Sequence, residues 1–286
     1  MTGISQPAMP PDPILWRGMR RAELDAGYNN SAAVADSADR IEDWSRRSAA
    51  LRSRQPALLN QTYGPRKRNT IDIFKSGRGE APLLVFIHGG YWQRNSKDVF
   101  SCMAHGPLAA GVDVAVPGYT LAPEATLGDI VAEMRAALQW LRRDGPALGI
   151  ATRRLIVSGW SAGGHLAATA MSWPEVDAGL SISGVFDLEP IRLGVLNDKL
   201  GLSASDVSAL SPLHHIPTVA GPLAIAYGTA ELPELQRQSQ QYAQAWAGAA
   251  LHGTLLPIAA KNHFSILEEL ASSAGTLTAQ IKTLSS

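Results

Sequence analysis

The sequence predicts an α/β fold, a mostly parallel central sheet with helices on both faces. Three observations carry that expectation. From Asn69 onward short apolar runs alternate with helical stretches, the pattern of strands joined by crossover helices. Some of those runs, such as Leu83-Leu84-Val85-Phe86-Ile87, are apolar throughout, as a strand covered on both faces must be. A turn bracketed by glycines, Gly159-Trp160-Ser161-Ala162-Gly163, stands between one such run and a helical stretch. Parallel sheets of this kind place their sites at the carboxyl ends of the strands.

The elements follow in order. Met1 to Pro13 holds Pro7, Pro10, Pro11 and Pro13 and is expected to be an irregular tail. Arg20 to Arg54 reads as helical, with Trp44 and Leu51 two turns apart on one face. Residues 1–62 are therefore expected to form a tail and helical segment packed on a main domain of residues 63–286. Thr70 to Phe74 alternates like a half-exposed strand, and Val112 to Val116 repeats the buried pattern. Thr126 and Asp129 resemble a capping box, followed at helical spacing by Ile130, Met134, Ala137, Leu138 and Leu141, with Gly145 as the stop. Leu155 to Val157 is a strand and Gly163 to Met171 a helix; Leu180 to Ser183, Leu223 to Tyr227 and Thr254 to Pro257 are further strands. A last helix is expected over Phe264 to Ile281.

Composition narrows the function classes. The 286 residues are 45% hydrophobic and 17% charged, enough apolar material for a substantial core. Lys plus Arg and Asp plus Glu are 25 each, so no basic excess exists to hold nucleic acid or an anionic membrane. The single cysteine, Cys102, excludes an intrachain disulfide and a cysteine zinc cluster. No basic-then-apolar leader opens the chain, and no apolar run approaches the ~18 residues of a membrane span. A cytoplasmic protein acting on a small molecule is expected. Its oligomeric state is open, with a homodimer as one option.

The chemistry centres on Ser161. A serine at the apex of a sharp strand-to-helix turn is driven to positive φ, and the positions two before and two after must be small; Gly159 and Gly163 are. The Ala162 N–H then opens a helix, where partial positive charge favours an oxyanion. His88-Gly89-Gly90-Tyr91-Trp92 follows the apolar run at Leu83 to Ile87, the place of an oxyanion loop. Its expected donors are the N–H groups of Gly90 and Tyr91, with Gly89 as an alternative. His88 is expected to brace the loop. Tyr91 and Trp92 could stack on an aryl substrate or pack under the loop.

Ser161 needs a base and an orienting acid. With the chain order serine, acid, histidine, His263 fits best among seven histidines, in a polar turn after the last strand. His165, four residues past Ser161, reads as a core histidine, and His214 and His215 could line a pocket. The acid should follow the strand at Leu223 to Tyr227. Glu231 is the first choice and Glu234 the second, ahead of Asp187 and Asp198. No Walker A, dinucleotide glycine motif or H-E-x-x-H is present, so neither cofactor nor metal is expected.

These segments resemble the kynurenine formamidase (arylformamidase) branch of the α/β-hydrolase fold. HGGYWQ at His88 to Gln93 is similar to that family's oxyanion loop, and SGWSAGG at Ser158 to Gly164 to its nucleophile elbow. Tyr119 to Pro123, Thr126-Leu127, Ser183 to Ile191, Glu234 with Arg237-Gln238-Ser239, and Asn262-His263-Phe264 continue the resemblance in order, over roughly Tyr63 to Leu270. One departure stands out: the family's acid is typically Asp, and the matching position here is Glu231. Tyr28-Asn29-Asn30 matches no known role. The resemblance implies a serine hydrolase that cleaves a small acyl–aryl amide, with N-formylkynurenine as the expected substrate. The alternatives are a small-molecule carboxylesterase using the same Ser161 and His263, and a non-catalytic binding protein on the same fold.

Overall fold

A computed structural model describes residues 12–54 and 57–286; the proline-rich start up to residue 11 lies outside the described residues. Eight strands form one sheet in the order β1-β2-β4-β3-β5-β6-β7-β8. They are β1 (Ala57–Thr62), β2 (Thr70–Phe74), β3 (Leu83–Ile87), β4 (Asp113–Pro117), β5 (Leu155–Trp160), β6 (Ala178–Ile182), β7 (Leu223–Gly228) and β8 (Gly253–Ile258). β2 is antiparallel to both β1 and β4. From β4 across to β8 every pairing is parallel.

The apolar runs are explained by position. β3 to β7 are buried along their whole length, because both faces are covered. Successive side chains alternate between two apolar layers. Leu83, Val85, Ile87 and Val157 join one layer with Met134, Leu138 and Leu166. Leu84, Phe86, Val114 and Ile156 join the other with Trp44, Phe100 and Ile281. β8 is an edge and mostly exposed.

Several boundaries differ from the sequence expectation, each for a local reason. β1, which shows no alternation, is the outer strand, so the sheet begins within the segment expected as a preamble. Its register shifts between Leu58 and Gln61, where Asn60 takes φ 53° and its N–H reaches Asp72 Oδ1 at 2.8 Å. The N-terminal helical stretch is three helices, Arg21–Gly27, Asn30–Ala33 and Ser37–Arg54. Asn29 starts the second by accepting the Ala32 N–H at 3.2 Å, an N-cap that ends the first. The third packs on the sheet through Trp44, whose ring lies 5.6 Å from Phe100 and 5.9 Å from Trp160.

Helix Leu127–Asp144 opens with the Thr126–Asp129 capping box. It ends at Asp144 with Gly145 as its C-cap, as the sequence predicts. Pro146 turns the chain into a 3-10 turn over Gly145–Leu148, and Gly149 at φ 71° ends it. The expected last helix is divided into Ser265–Leu267, Glu268–Ala271 and Thr276–Leu284. A Cβ on Gly275 would lie 2.1 Å from the Glu269 carbonyl oxygen, so the chain doubles back there. Helix Pro233–Gly248 has no counterpart in the sequence reading. Its buried face mixes Leu235, Tyr242 and Trp246 with Glu234, Gln238 and Ser239, which blurs the apolar stripe.

Candidate active site

The parallel strands β3, β5, β6, β7 and β8 release their following loops on one edge of the sheet, and the candidate groups come from those loops. Ser161 links β5 to helix Ala162–Ala170 at φ 57° and ψ −116°. That conformation is strained for a non-glycine residue. It is held by the Ser161 N–H on the Ile182 carbonyl at 2.9 Å and by His165 N–H on the Ser161 carbonyl at 3.0 Å. A Cβ at Gly159 would fall 2.2 Å from the Gly163 oxygen, and one at Gly163 would fall 2.0 Å from the Ile87 oxygen. The two glycines are what lets the turn close.

The His88–Trp92 loop lies directly on this turn. A Cβ on Gly89 would meet the Trp160 oxygen at 2.6 Å and Ser161 Cβ at 3.1 Å. Gly90 at φ 123° is followed by Tyr91 at 51° and Trp92 at 58°. The N–H groups of Gln93 and Arg94 both donate to the Gly90 carbonyl at 3.0 Å, and Asn95 Nδ2 donates to the Gly89 carbonyl at 3.2 Å. The Gly89 and Gly90 carbonyls are thus spoken for, whereas the N–H groups of Gly89, Gly90 and Tyr91 donate to no partner among the described residues. His88 sits beneath, with Nδ1 2.9 Å from the Gly89 oxygen and its ring stacked on Tyr119 at 4.3 Å. Burial pushes its pKa down to about 4 against the opposing pull of the Gly89 contact, so it is a neutral brace at pH 7.

Opposite the loop, His263 Nδ1 donates to Glu231 Oε2 at 2.9 Å. A carboxylate can only accept, so the contact places the proton on Nδ1 and leaves Nε2 as the basic nitrogen. Glu231 is itself fixed: its Oε1 accepts the Ser183 hydroxyl and the Gly228 N–H, both at 2.6 Å. The His263 ring lies 4.9 Å from the Trp160 ring, and Trp160 Nε1 donates to the His263 carbonyl at 2.7 Å. Ser161, His263, Gly90 and Tyr91 line one cavity of about 100 Å³, which Asn30 and Phe264 help to wall. No hydrogen bond joins Ser161 to His263 among the described residues; such contacts are often long without substrate and tighten when it binds. A larger hollow of about 750 Å³ beside Arg46, Arg47, Cys102 and His105 holds none of these groups. Burial there pushes the Cys102 thiol up to about 11, which keeps it un-ionised.

Two alternatives from the sequence are separated by these contacts. Glu234 does not approach His263. It accepts Tyr28 Oη at 3.0 Å, Trp16 Nε1 at 3.1 Å and the Arg237 guanidinium at 2.9 Å. Trp92 is a correction. It does not stack on the cavity side but packs under the loop, the other role read for it: it is fully buried, lies edge-on against His165 at 5.0 Å and does not line the cavity. Tyr91 does line the cavity, but its hydroxyl is engaged with the N-terminal segment. His214 and His215 lie outside the cavity, with His215 Nε2 on the Ser208 carbonyl at 2.7 Å. Ser183, the support of Glu231, was visible in the sequence as the end of a strand and the start of the Ser183 to Ile191 segment, with no role of its own.

A family model described as BD-FAE matches residues 71–178. The kynurenine formamidase of Danio rerio is 27% identical over 276 residues, covering 89% of this chain and 93% of that protein. The kynurenine formamidase of Drosophila melanogaster is 30% identical over 224 residues, covering 71% of this chain and 74% of its own length. The chain belongs to the kynurenine formamidase family of α/β-hydrolases. A crystal structure from Silicibacter sp. tm1040, described as a thioesterase candidate, superposes with a TM-score of 0.82 at 29% identity, over 90% of this chain and 98% of that one. As a member of this family the protein is a hydrolase. Among the described residues no helix is long and apolar enough to cross a membrane, and no three His, Cys, Asp or Glu side chains gather where they could hold a metal ion.

Proposed function

We propose that the protein is a serine hydrolase that cleaves a small acyl–aryl amide, with N-formylkynurenine, opened to kynurenine and formate, as the first substrate to test. The observation that carries this reading is the Glu231 carboxylate on His263 Nδ1 at 2.9 Å, with the imidazole and Ser161 in one cavity wall. In this reading His263 Nε2 takes the Ser161 proton as the hydroxyl oxygen attacks the carbonyl carbon. Glu231 holds the tautomer and stabilises the imidazolium. The N–H groups of Gly90, Tyr91 and Ala162, with Gly89 as a further donor, receive the oxyanion, each worth roughly 2.7–4 kcal/mol in the transition state. The aryl amine leaves with the proton from His263, and water then releases the acyl group from Ser161 by the reverse sequence. An aryl amine leaves more readily than an alkyl amine because the ring delocalises its lone pair.

The likeness to kynurenine formamidases over most of the chain favours a formyl group as the acyl part. The same residues would open an aryl ester, which is the competing reading. A panel of N-formylkynurenine, other formanilides and aryl esters of rising acyl length tests both. A steep preference for formyl over butyryl supports the proposal, and equal turnover along the ester series refutes it in favour of a general carboxylesterase.

A further inference from the structure

The N-terminal segment has no part in the chemistry above, yet it closes one wall of the cavity. Asn30 is 4% exposed and lines the cavity with Ser161 and His263. Its Nδ2 donates to Tyr91 Oη at 3.0 Å. Tyr91 Oη has one proton, and that proton goes to the Tyr28 carbonyl at 2.7 Å. A carbonyl can only accept, so the tyrosine oxygen can only accept from Asn30. The orientation of the carboxamide is thereby fixed, with the NH2 group towards Tyr91 and Oδ1 turned away. Tyr28 is anchored in turn, its hydroxyl donating to Glu234 at 3.0 Å and accepting from Gln238 Nε2 at 2.8 Å. Asn30 Oδ1 is buried and has no hydrogen-bond partner among the described residues. A buried acceptor held by so many contacts and left unmatched is costly unless something satisfies it in the working complex.

We propose that Asn30 Oδ1 accepts a hydrogen bond from the substrate's N–H and so selects amides over the matching esters. The inference rests on the hydrolase reading above and extends it to the substrate's leaving group. An amide carries the donor, and an ester presents an oxygen in its place. A site built to hydrogen-bond a donor discriminates strongly against the analogue that lacks it, because its own polar group stays unpaired.

The test uses the full chain and one matched pair, formanilide and phenyl formate. Asn30→Ala is expected to lower kcat/KM for formanilide about 10- to 100-fold more than for phenyl formate, the range set by one unmade buried hydrogen bond. Asn30→Asp, which keeps an acceptor oxygen, should recover part of the loss on formanilide. A merely structural role, in which the loss of the Tyr91 contact disturbs the loop, lowers both substrates together, and an unchanged amide-to-ester ratio overturns the proposal. Failure of the formamidase reading shows separately, as wild-type protein that hydrolyses phenyl formate but not formanilide. In that case formanilide is tested as a competitive inhibitor of phenyl formate turnover. Inhibition weakened at least fivefold by Asn30→Ala supports the acceptor role, and no inhibition, or inhibition unaffected by the substitution, overturns it.

Discussion

Acidification should destabilise the fold through two buried imidazoles. His88 and His165 are both fully buried, and burial lowers each from 6.5 to about 4, with one backbone contact in each case pulling weakly the other way. An imidazole whose folded value lies below its unfolded value binds fewer protons when folded. Its contribution to stability is therefore complete above about pH 6.5 and is lost as pH falls towards 4. Between pH 7 and pH 5 the loss is about 2 kcal/mol for each histidine, from about 1.4 kcal/mol per unit over the part of the window crossed. His165 allows a clean subtraction. Its Nε2 donates to the Leu210 carbonyl at 2.8 Å, and its Nδ1 has no partner. His165→Gln keeps a donor and removes the titration. Urea unfolding of both proteins at pH 7, 6 and 5 should show the variant less stable at pH 7 and the gap narrowing by about 2 kcal/mol at pH 5. The difference between the two proteins cancels carboxylates that titrate in both. Parallel stability curves over that range would refute the reasoning and mean that His165 takes up its proton without opening the fold.

Ser161→Ala should reduce turnover about 10⁶-fold, the scale of removing a serine nucleophile; a loss under tenfold, measured on the best substrate of the panel, removes Ser161 from the mechanism. Glu231→Gln should reduce kcat roughly 10⁴-fold, because an amide nitrogen cannot accept from His263 Nδ1, and steady-state kinetics with a folded variant checks this. Glu234→Gln should leave kcat within tenfold but cost roughly 1–3 kcal/mol of stability, since Tyr28, Trp16 and Arg237 all converge on that carboxylate. Burial alone would raise the pKa of Glu234, but Arg237 and the two aromatic donors outweigh it and hold the carboxyl below its usual value. Its stabilisation is present at neutral pH and lost in acid as pH falls through that lowered value, so parent and variant should converge in stability there.

The sequence was most legible where one physical requirement acts alone. β2 and β3 occupy Thr70–Phe74 and Leu83–Ile87, the bounds read from alternation and from an unbroken apolar run; β3 is buried as read, but β2, expected to be half-exposed, is buried from Ile71 to Phe74 because Lys97 meets Asp72 at 2.7 Å on its polar position. The Thr126 capping box and the positive φ of Ser161 were equally local. Glu231 was placed by chain order after β7, and no local signal ranked it above Glu234. What decides between them is non-local: His263 and Ser183 Oγ from the β6 end hold one carboxylate, and Trp16 with Tyr28 hold the other. Trp92 was misleading for the same reason. An aromatic beside Tyr91 in an oxyanion-loop motif looks available to a substrate, but Tyr91 lines the cavity while Trp92 is buried against His165, a partner more than seventy residues away.

The N-terminal wall was illegible because its meaning arises from contacts more than sixty residues away. Tyr28-Asn29-Asn30 matched no known role in the sequence, and Asn30 acquires one only when Tyr91 Oη reaches the Tyr28 carbonyl and fixes its carboxamide. The turn after β7 then divides its two acids by direction. Glu231 faces inward to the imidazole, and Glu234, in the first turn of helix Pro233–Gly248, faces the segment that carries Asn30. Gln238, one turn further on, accepts the N–H groups of Phe186 and Asp187 at 2.6 and 2.8 Å and donates to Tyr28. One short stretch of chain therefore holds both the His263 ring and the wall that carries Asn30. If Asn30 selects the substrate as proposed, changes in the N-terminal segment would alter that selection while the serine turn, the loop at Gly89 and the imidazole keep their places.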